Sequence, residues 1–325
     1  MISGVDIEDL RGVARGALDG LAPLTLLTGP HGCGKRTVLD ALHIGTYYDP
    51  GSAVAASVRR RDGAPRLLRR GAARTTVTVT APGLAAPQTT VVTDVTSTLR
   101  ERLARVLQFE PSRAFRATRS DGTDYLVRFG DDLSYAVTGK ASDDRVIPGF
   151  TARIAADHTI PSSVFNQATV FGHHMDVVAF LAEFVPGYRA LVLLPDARGV
   201  PACHLTFTDA RTPHPLERAG DGIQALVHTA LTLANMRAGE LALIEEPEAH
   251  QDPQALRRLA DILLAAARRQ VQIVLTTYSR ALLDALLAAA TADDLPGVAR
   301  LELELHAGVL RSRRHAGPEI TTVDR

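Results

Sequence analysis

Apolar residues in this chain fall into short unbroken runs and longer stretches of helical spacing. VDIEDLRGV (5–13) alternates like an edge strand, LTLLT (24–28) is a compact apolar run, and TVLDALHIG (37–45) repeats at helical spacing. From about 50 to 190 the texture changes. TTVTVT (75–80) and TTVVTD (89–94) are β-branched runs parted by a Pro-Gly segment, which predicts two strands and a turn. A helix is expected over 97–108, then further short strands, then a helix over 175–184 (MDVVAFLAEF). After LERAGDG (216–222) the order is regular again, with helices at 223–236, 254–268 and 280–291. Apolar strands are expected at 241–245 and 271–277, and a last one near 301–306.

Alternating helices and apolar strands predict an α/β fold around a mixed, largely parallel sheet covered on both faces. A length of 325 residues suits one large head with an insertion, or two domains. The head is expected over 1–48 and 190–325, with 49–189 as an inserted β-rich lobe with helical pieces. No internal repeat interrupts this plan.

Composition adds limits. At 46% apolar and 22% charged the chain has ample material for a core, and its zero net charge sets up no global field toward nucleic acid or membrane. Of the 36 basic residues, only Lys35 and Lys140 are lysine, a bias that reads as genome composition. RRRDGAPRLLRRGAAR (59–74) carries seven arginines. It reads as a solvated loop or as a patch for a phosphate backbone, and no aromatic residue interleaves to stack on bases. Cys33 and Cys203 cannot build a disulfide framework or a metal cluster, which points to a reducing compartment. The start, MISGVDIEDLRG, is acidic where a leader would be basic. The apolar run 281–292 is broken by Asp284 and too short for a bilayer. A cytoplasmic protein is expected. His173 and His174 are expected to point opposite ways on a strand rather than to share a metal.

Two stretches carry chemistry. LTGPHGCGKRT (27–37) places Gly29, Gly34 and Lys35 on the G-x-x-x-x-G-K spacing, with His31, Gly32 and Cys33 inside it, between a strand and a helix. Glycines let backbone N–H groups turn toward phosphates, and the helix presents its N-terminal dipole to them. A plain Gly-rich turn is the bland alternative. LALIEEPEAHQDP (241–253) delivers Glu245 and Glu246 at the C-terminal end of an apolar strand, where open α/β sheets bind ligands. Adjacent acids suit phosphoanhydride hydrolysis, one near a metal and one polarising water. Alone, the stretch also reads as a solvated acidic turn.

Together these stretches resemble the ABC-type ATPases of the RecF, SMC and OLD group, particularly small stand-alone ATP-binding proteins of bacterial DNA-maintenance and phage-defence operons. IEDLRGV is similar to the opening strand, LTGPHGCGKRTVLDALHIG to the Walker A loop and helix, and LALIEEPEAHQDP to Walker B. RAGDGIQALVHTALTLA (218–234) is similar to the signature segment, and QIVLTTYSRALLDAL (272–286) to the switch strand and helix. The resemblance implies ATP and Mg²⁺ as cofactors, Glu246 as general base and Glu245 as the magnesium-site acid. It also implies that Gly220, Asp221 and Gly222 reach the γ-phosphate of ATP held by a second copy. Read alone, AGDG is a turn with Asp221 as a helix cap.

Three letters depart from the family pattern. Arg36 stands where a metal-binding hydroxyl is usual, although Thr37 matches the next position, which touches the α-phosphate. Glu245 replaces the usual Asp. Tyr278 replaces the switch histidine; a phenol can donate a hydrogen bond but does not titrate near neutrality. Arg36 is expected to meet Glu245 and take up the space of a hydrated magnesium ion, or else to swing outward to solvent. The implied function is an ATP-hydrolysing switch that dimerises around ATP and drives a separate effector, such as a nuclease, with DNA as a further partner. A nucleotide-binding scaffold with little hydrolysis is the alternative. The signature is not LSGGQ-like, which disfavours a transporter motor.

Overall fold

The computed structural model describes residues 1–59, 67–103, 113–130, 134–141, 151–154, 162–183, 185–196 and 199–321. The chain opens with strands β1 (Gly4–Leu10), β2 (Val13–Asp19) and β3 (Leu24–Thr28), then helices α1 (Lys35–Thr46) and α2 (Pro50–Arg59). Next come β4 (Arg74–Thr80), β5 (Gln88–Asp94), α3 (Thr96–Leu103), β6 (Arg113–Arg119), β7 (Asp124–Phe129), β8 (Tyr135–Lys140) and β9 (Thr151–Ile154). Helices α4 (Ser162–Val170) and α5 (His173–Ala182) precede β10 (Tyr188–Pro195), β11 (Pro201–Phe207) and β12 (His214–Pro215). The last third alternates α6 (Asp221–Asn235), β13 (Leu241–Glu245), α7 (Pro253–Arg268), β14 (Gln272–Thr276), α8 (Arg280–Ala289), β15 (Val298–His306) and β16 (Val309–Ala316).

One 13-stranded mixed sheet runs through the molecule in the order β8-β7-β6-β5-β4-β1-β2-β16-β15-β3-β14-β13-β9. Strands β15, β3, β14, β13 and β9 are mutually parallel, and β1, β2 and β4 to β8 form an antiparallel wing. The segment 49–189 therefore contributes to both edges of the sheet: β4 to β8 extend the wing beyond β1, and β9 pairs with β13.

Every residue of β13 and β14 is buried, as in a parallel sheet covered on both faces. Alternation along them sorts the core. Leu241, Leu243 and Val274 join the cluster under α1 and α2, whereas Ala242, Ile244, Ile273 and Leu275 join the cluster under α7 and α8. Truncating a side chain such as Leu275 to alanine in that second layer should cost about 2–5 kcal/mol. A third cluster joins α4, α5 and α6 to β10 and β11.

Local chemistry sets the helix ends nearest the site. Asp252 caps α7, accepting from Gln254 N at 2.7 Å and Ala255 N at 2.9 Å, with Pro253 at the first turn. Ser279 caps α8 through Leu282 N at 3.1 Å. Helix α1 is buried at every position but Arg36, so its polar residues Asp40, His43 and Thr46 face the interior.

Several sequence-based expectations shift. The helix placed at 37–45 begins two residues earlier, so Lys35 and Arg36 are helical. The helix expected at 97–108 is seen as α3, and its stretch 104–108 lies outside the described residues, as does 60–66 of the arginine run. His173 and His174 begin α5 behind Gly172 rather than sitting on a strand, because this glycine turns left-handed (φ 79°) and starts the helix. Among the described residues no helix is long and apolar enough to cross a membrane, and Cys33 and Cys203 are both buried free thiols.

Candidate functional site: a phosphate loop facing paired acids

Strand β3 ends at Thr28, and residues 29–34 loop back to start α1. Gly29 is left-handed (φ 128°), and a Cβ there would lie 2.4 Å from the carbonyl of Leu303, so only glycine lets the loop pass β15. Gly32 (φ 78°) faces open space instead, and a Cβ there would meet nothing within 4 Å. The Lys35 ammonium folds across the loop, donating to Gly29 O at 2.6 Å and Pro30 O at 3.1 Å. It also lies 3.5 Å from the centre of the Tyr278 ring, which stacks on His31 with centroids 4.3 Å apart. Loop, lysine and Tyr278 line one open cleft of about 760 Å³ with Arg11, Arg36, Thr37 and Glu246.

Strand β13 delivers Glu245 and Glu246 to the opposite wall. The Glu246 backbone is left-handed (φ 44°), a conformation that costs a side-chain-bearing residue about 1–3 kcal/mol. Its N–H donates to Thr276 O at 3.1 Å and Thr276 Oγ1 at 3.2 Å, which hold the turn in place. Glu245 is buried, and both of its oxygens are taken. Arg153 on β9 donates to Oε1 through Nε at 3.1 Å and through Nη2, while Arg36 Nε lies 3.2 Å from Oε2. Arg36 also donates to Glu246 Oε1 through Nη2 at 3.2 Å. The expected Arg36–Glu245 pair is thus present, and the guanidinium spans both acids.

Behind this pair lies a buried relay. Arg153 Nη1 is 2.6 Å from Asp40 Oδ1 on α1, close but not aligned as a hydrogen bond, and Arg11 Nη2 is 2.7 Å from Asp40 Oδ2. Glu248 forms a second link. Its Oε1 accepts from Thr277 Oγ1 at 2.6 Å and Tyr278 N at 2.9 Å, joining the turn after β13 to the switch position. Burial pushes the Glu248 carboxyl above its ordinary 4.5, and these two donors only partly oppose that.

The expected signature residues lie elsewhere in the same chain. Gly220 and Gly222 line a separate cavity with His250 and Gln251, and Gln251 Nε2 donates to Gly222 O at 2.9 Å. Asp221 opens α6 without making a side-chain cap. The structure brings His31, Gly32, Cys33, Gly34, Lys35, Arg36, Thr37, Glu246 and Tyr278 to one cleft, with Glu245 beneath it through Arg36. It does not bring 220–222 to that cleft. Sequence reasoning missed Arg11, Asp40, Arg153 and Glu248. An acid facing inward on the apolar helix α1 was the available signal for Asp40, and Arg153 carried none.

Residues 110–284 match the family described as "AAA domain, putative AbiEii toxin, Type IV TA system". The chain belongs to this AAA family. No curated protein matches it in sequence. Among solved structures, the SmcHead bound to the C-winged helix domain of ScpA is 14% identical, with TM-score 0.55 and coverage of 97% of this chain and 98% of that one. A second is the Smc head with an extended coiled coil bound to the C-terminal domain of ScpA derived from Pyrococcus furiosus. It is 10% identical, with TM-score 0.51 and coverage of 97% and 96%. These likenesses establish the fold, that of an SMC head domain.

In this AAA protein the loop fits a polyphosphate substrate: three left-handed glycines, a buried lysine at a helix start, and open space beside Gly32. The residues present do not fit the magnesium ion that the family uses. Arg36 has no acceptor atom, both Glu245 oxygens are bound by guanidiniums, and no described cluster of three His, Cys, Asp or Glu could hold a metal.

Proposed function

We propose that this protein is an ATP-binding switch: two copies close around ATP, and hydrolysis or release reopens them to drive a separate effector. The observation that carries the reading is the shared cleft, lined by Lys35 and the loop glycines together with Glu246 and Tyr278. Lys35 would leave its carbonyl partners for the outer phosphates, a stronger, charge-assisted contact. Thr37 sits one residue deeper on the same helix, where the α-phosphate would lie. Glu246 would take the proton of a water attacking the γ-phosphorus, and ADP would leave with the electron pair of the broken P–O bond. Tyr278 can donate its phenolic hydrogen to the γ-phosphate from the switch position.

Because Gly220, Asp221 and Gly222 lie away from the cleft of their own chain, their phosphate role requires a second copy. A two-fold pair would supply both signatures at once. The SMC heads of this fold were solved with a domain of ScpA bound, which supports a separate polypeptide as the working partner here. The effector role, in DNA maintenance or phage defence, belongs to that partner.

A second reading is favoured by one contact. Arg36 holds Glu246 at 3.2 Å, and a carboxylate oxygen engaged by a guanidinium is not open to a water, which suits a scaffold that binds ATP and turns it over slowly. A timed assay of phosphate release, alongside Glu246→Gln, separates the two. Turnover abolished by Glu246→Gln identifies the switch, and ATP binding with equal, negligible release from both forms identifies the scaffold. Absence of ATP binding removes both readings.

A further inference from the structure

Six charged side chains form a single file beside the phosphate loop: Arg11, Asp40, Arg153, Glu245, Arg36 and Glu246. Three guanidiniums face three carboxylates. The side chains of Arg11, Asp40, Arg153 and Glu245 are at most 7% exposed, and each acid among them is bound on both oxygens. Arg36 differs, because its side chain is 47% exposed and opens onto the cleft. The charge at Glu245 is therefore already balanced from behind by Arg153. If Arg36 moved away, Glu245 would keep a guanidinium partner, and only the half-buried Glu246 would be released.

From this arrangement we infer that Arg36 is the cation that meets the polyphosphate, exchanging its two carboxylates for phosphate oxygens, so that the nucleotide is bound without a divalent ion. The inference rests on reading the loop as a nucleotide site. A guanidinium suits the exchange, since its planar fork matches phosphate as well as carboxylate geometry. A hydrated magnesium ion would need oxygen ligands where this chain presents N–H donors. The exchange also couples binding to chemistry. Once Arg36 turns to the phosphates, Glu246 loses the contact that holds it and is free to accept a proton. A neutral-balanced file behind it, fixed by Arg153 and Asp40, keeps the buried acids from following.

Calorimetric titration of the intact protein with ATP, in EDTA and in magnesium chloride, tests this directly. The wild type should bind with affinities equal within about threefold in the two buffers. Arg36→Ser should lose about tenfold or more in EDTA, as expected for a charge-assisted contact, and recover in magnesium, where its hydroxyl can now serve a metal. Arg36→Lys should retain part of the metal-free affinity. A wild type that binds more than about tenfold more weakly in EDTA would overturn the inference while leaving the nucleotide site standing. Undiminished binding by Arg36→Ser in EDTA would overturn it too. No binding in either buffer would instead remove the nucleotide reading, and this inference with it. The wild-type comparison needs no variant, so a variant that failed to fold would not rescue the idea.

Discussion

Thr277 donates its hydroxyl to Glu248 Oε1 over 2.6 Å, and the Glu248 Oε2 atom lies buried with no hydrogen-bond partner among the described residues. This one carboxylate therefore ties the turn after β13 to the strand end that presents Tyr278. Its folded-state pKa is raised from 4.5, first by burial and then by the nearby Glu246 charge, against the donors Thr277 and Tyr278 N–H. A raised carboxyl pKa makes its contribution to stability full below the unfolded value and lost as pH climbs through the folded one. Glu248→Gln keeps the accepting oxygen and removes that loss. Its melting temperature relative to wild type should rise as pH goes from about 4.5 to about 8, and a flat difference across that range would contradict the assignment.

Lys35→Ala should weaken ATP binding by about 1.5–3 kcal/mol, roughly tenfold or more, by deleting a charge-assisted phosphate contact. The ammonium contacts its own loop and Tyr278 rather than the apolar core, so the fold should survive, as circular dichroism can verify. Unchanged affinity in calorimetry would dismiss the loop as a phosphate site.

Asp40 lies between two buried guanidiniums. Asp40→Asn leaves Arg11 and Arg153 short of a counter-charge, and breaking a buried pair of this kind costs about 3–5 kcal/mol. Chemical denaturation should show the midpoint moving down by a corresponding amount. A loss below about 1 kcal/mol would mean that the relay is no more than a surface-like ion pair.

A Cβ on Gly222 would sit 2.5 Å from the His250 carbonyl, so Gly222→Ala must shift the start of α6 against the turn at 249–251. In the Glu246→Gln background, light scattering should show an ATP-dependent pair of copies, and Gly222→Ala should weaken it. Monomers with and without ATP in the parent form would argue against closure between two copies.

Much of the core architecture was legible because β3, β13 and β14 are short, largely apolar runs flanked by helices, a pattern with few other solutions. The phosphate loop was legible for the same reason that it works, since Gly29, Gly34 and Lys35 must keep a fixed spacing to form it. The 13-stranded continuity was not. Pairing of β4 with β1 and of β9 with β13 joins segments distant in sequence, and nothing local encodes that register. Arg153 escaped notice for that reason: its partner Glu245 is 92 residues away, and a lone arginine on a four-residue strand carries no motif. The Arg36–Glu245 contact was readable because β3 and β13 run parallel and end on the same side of the sheet, although β14 lies between them and only the long arginine side chain spans that gap.

The left-handed backbone at Glu246 has a consequence for how the site can change over generations. Glycine is the residue most at ease at φ 44°, so drift toward stability at this position leads away from the carboxylate. A lineage that keeps glutamate there is holding a less comfortable residue against a standing stability advantage. Glu246→Gly should therefore melt higher than wild type, and, on the role proposed for Glu246, sequences of the same family with glycine at this position would mark branches without hydrolysis.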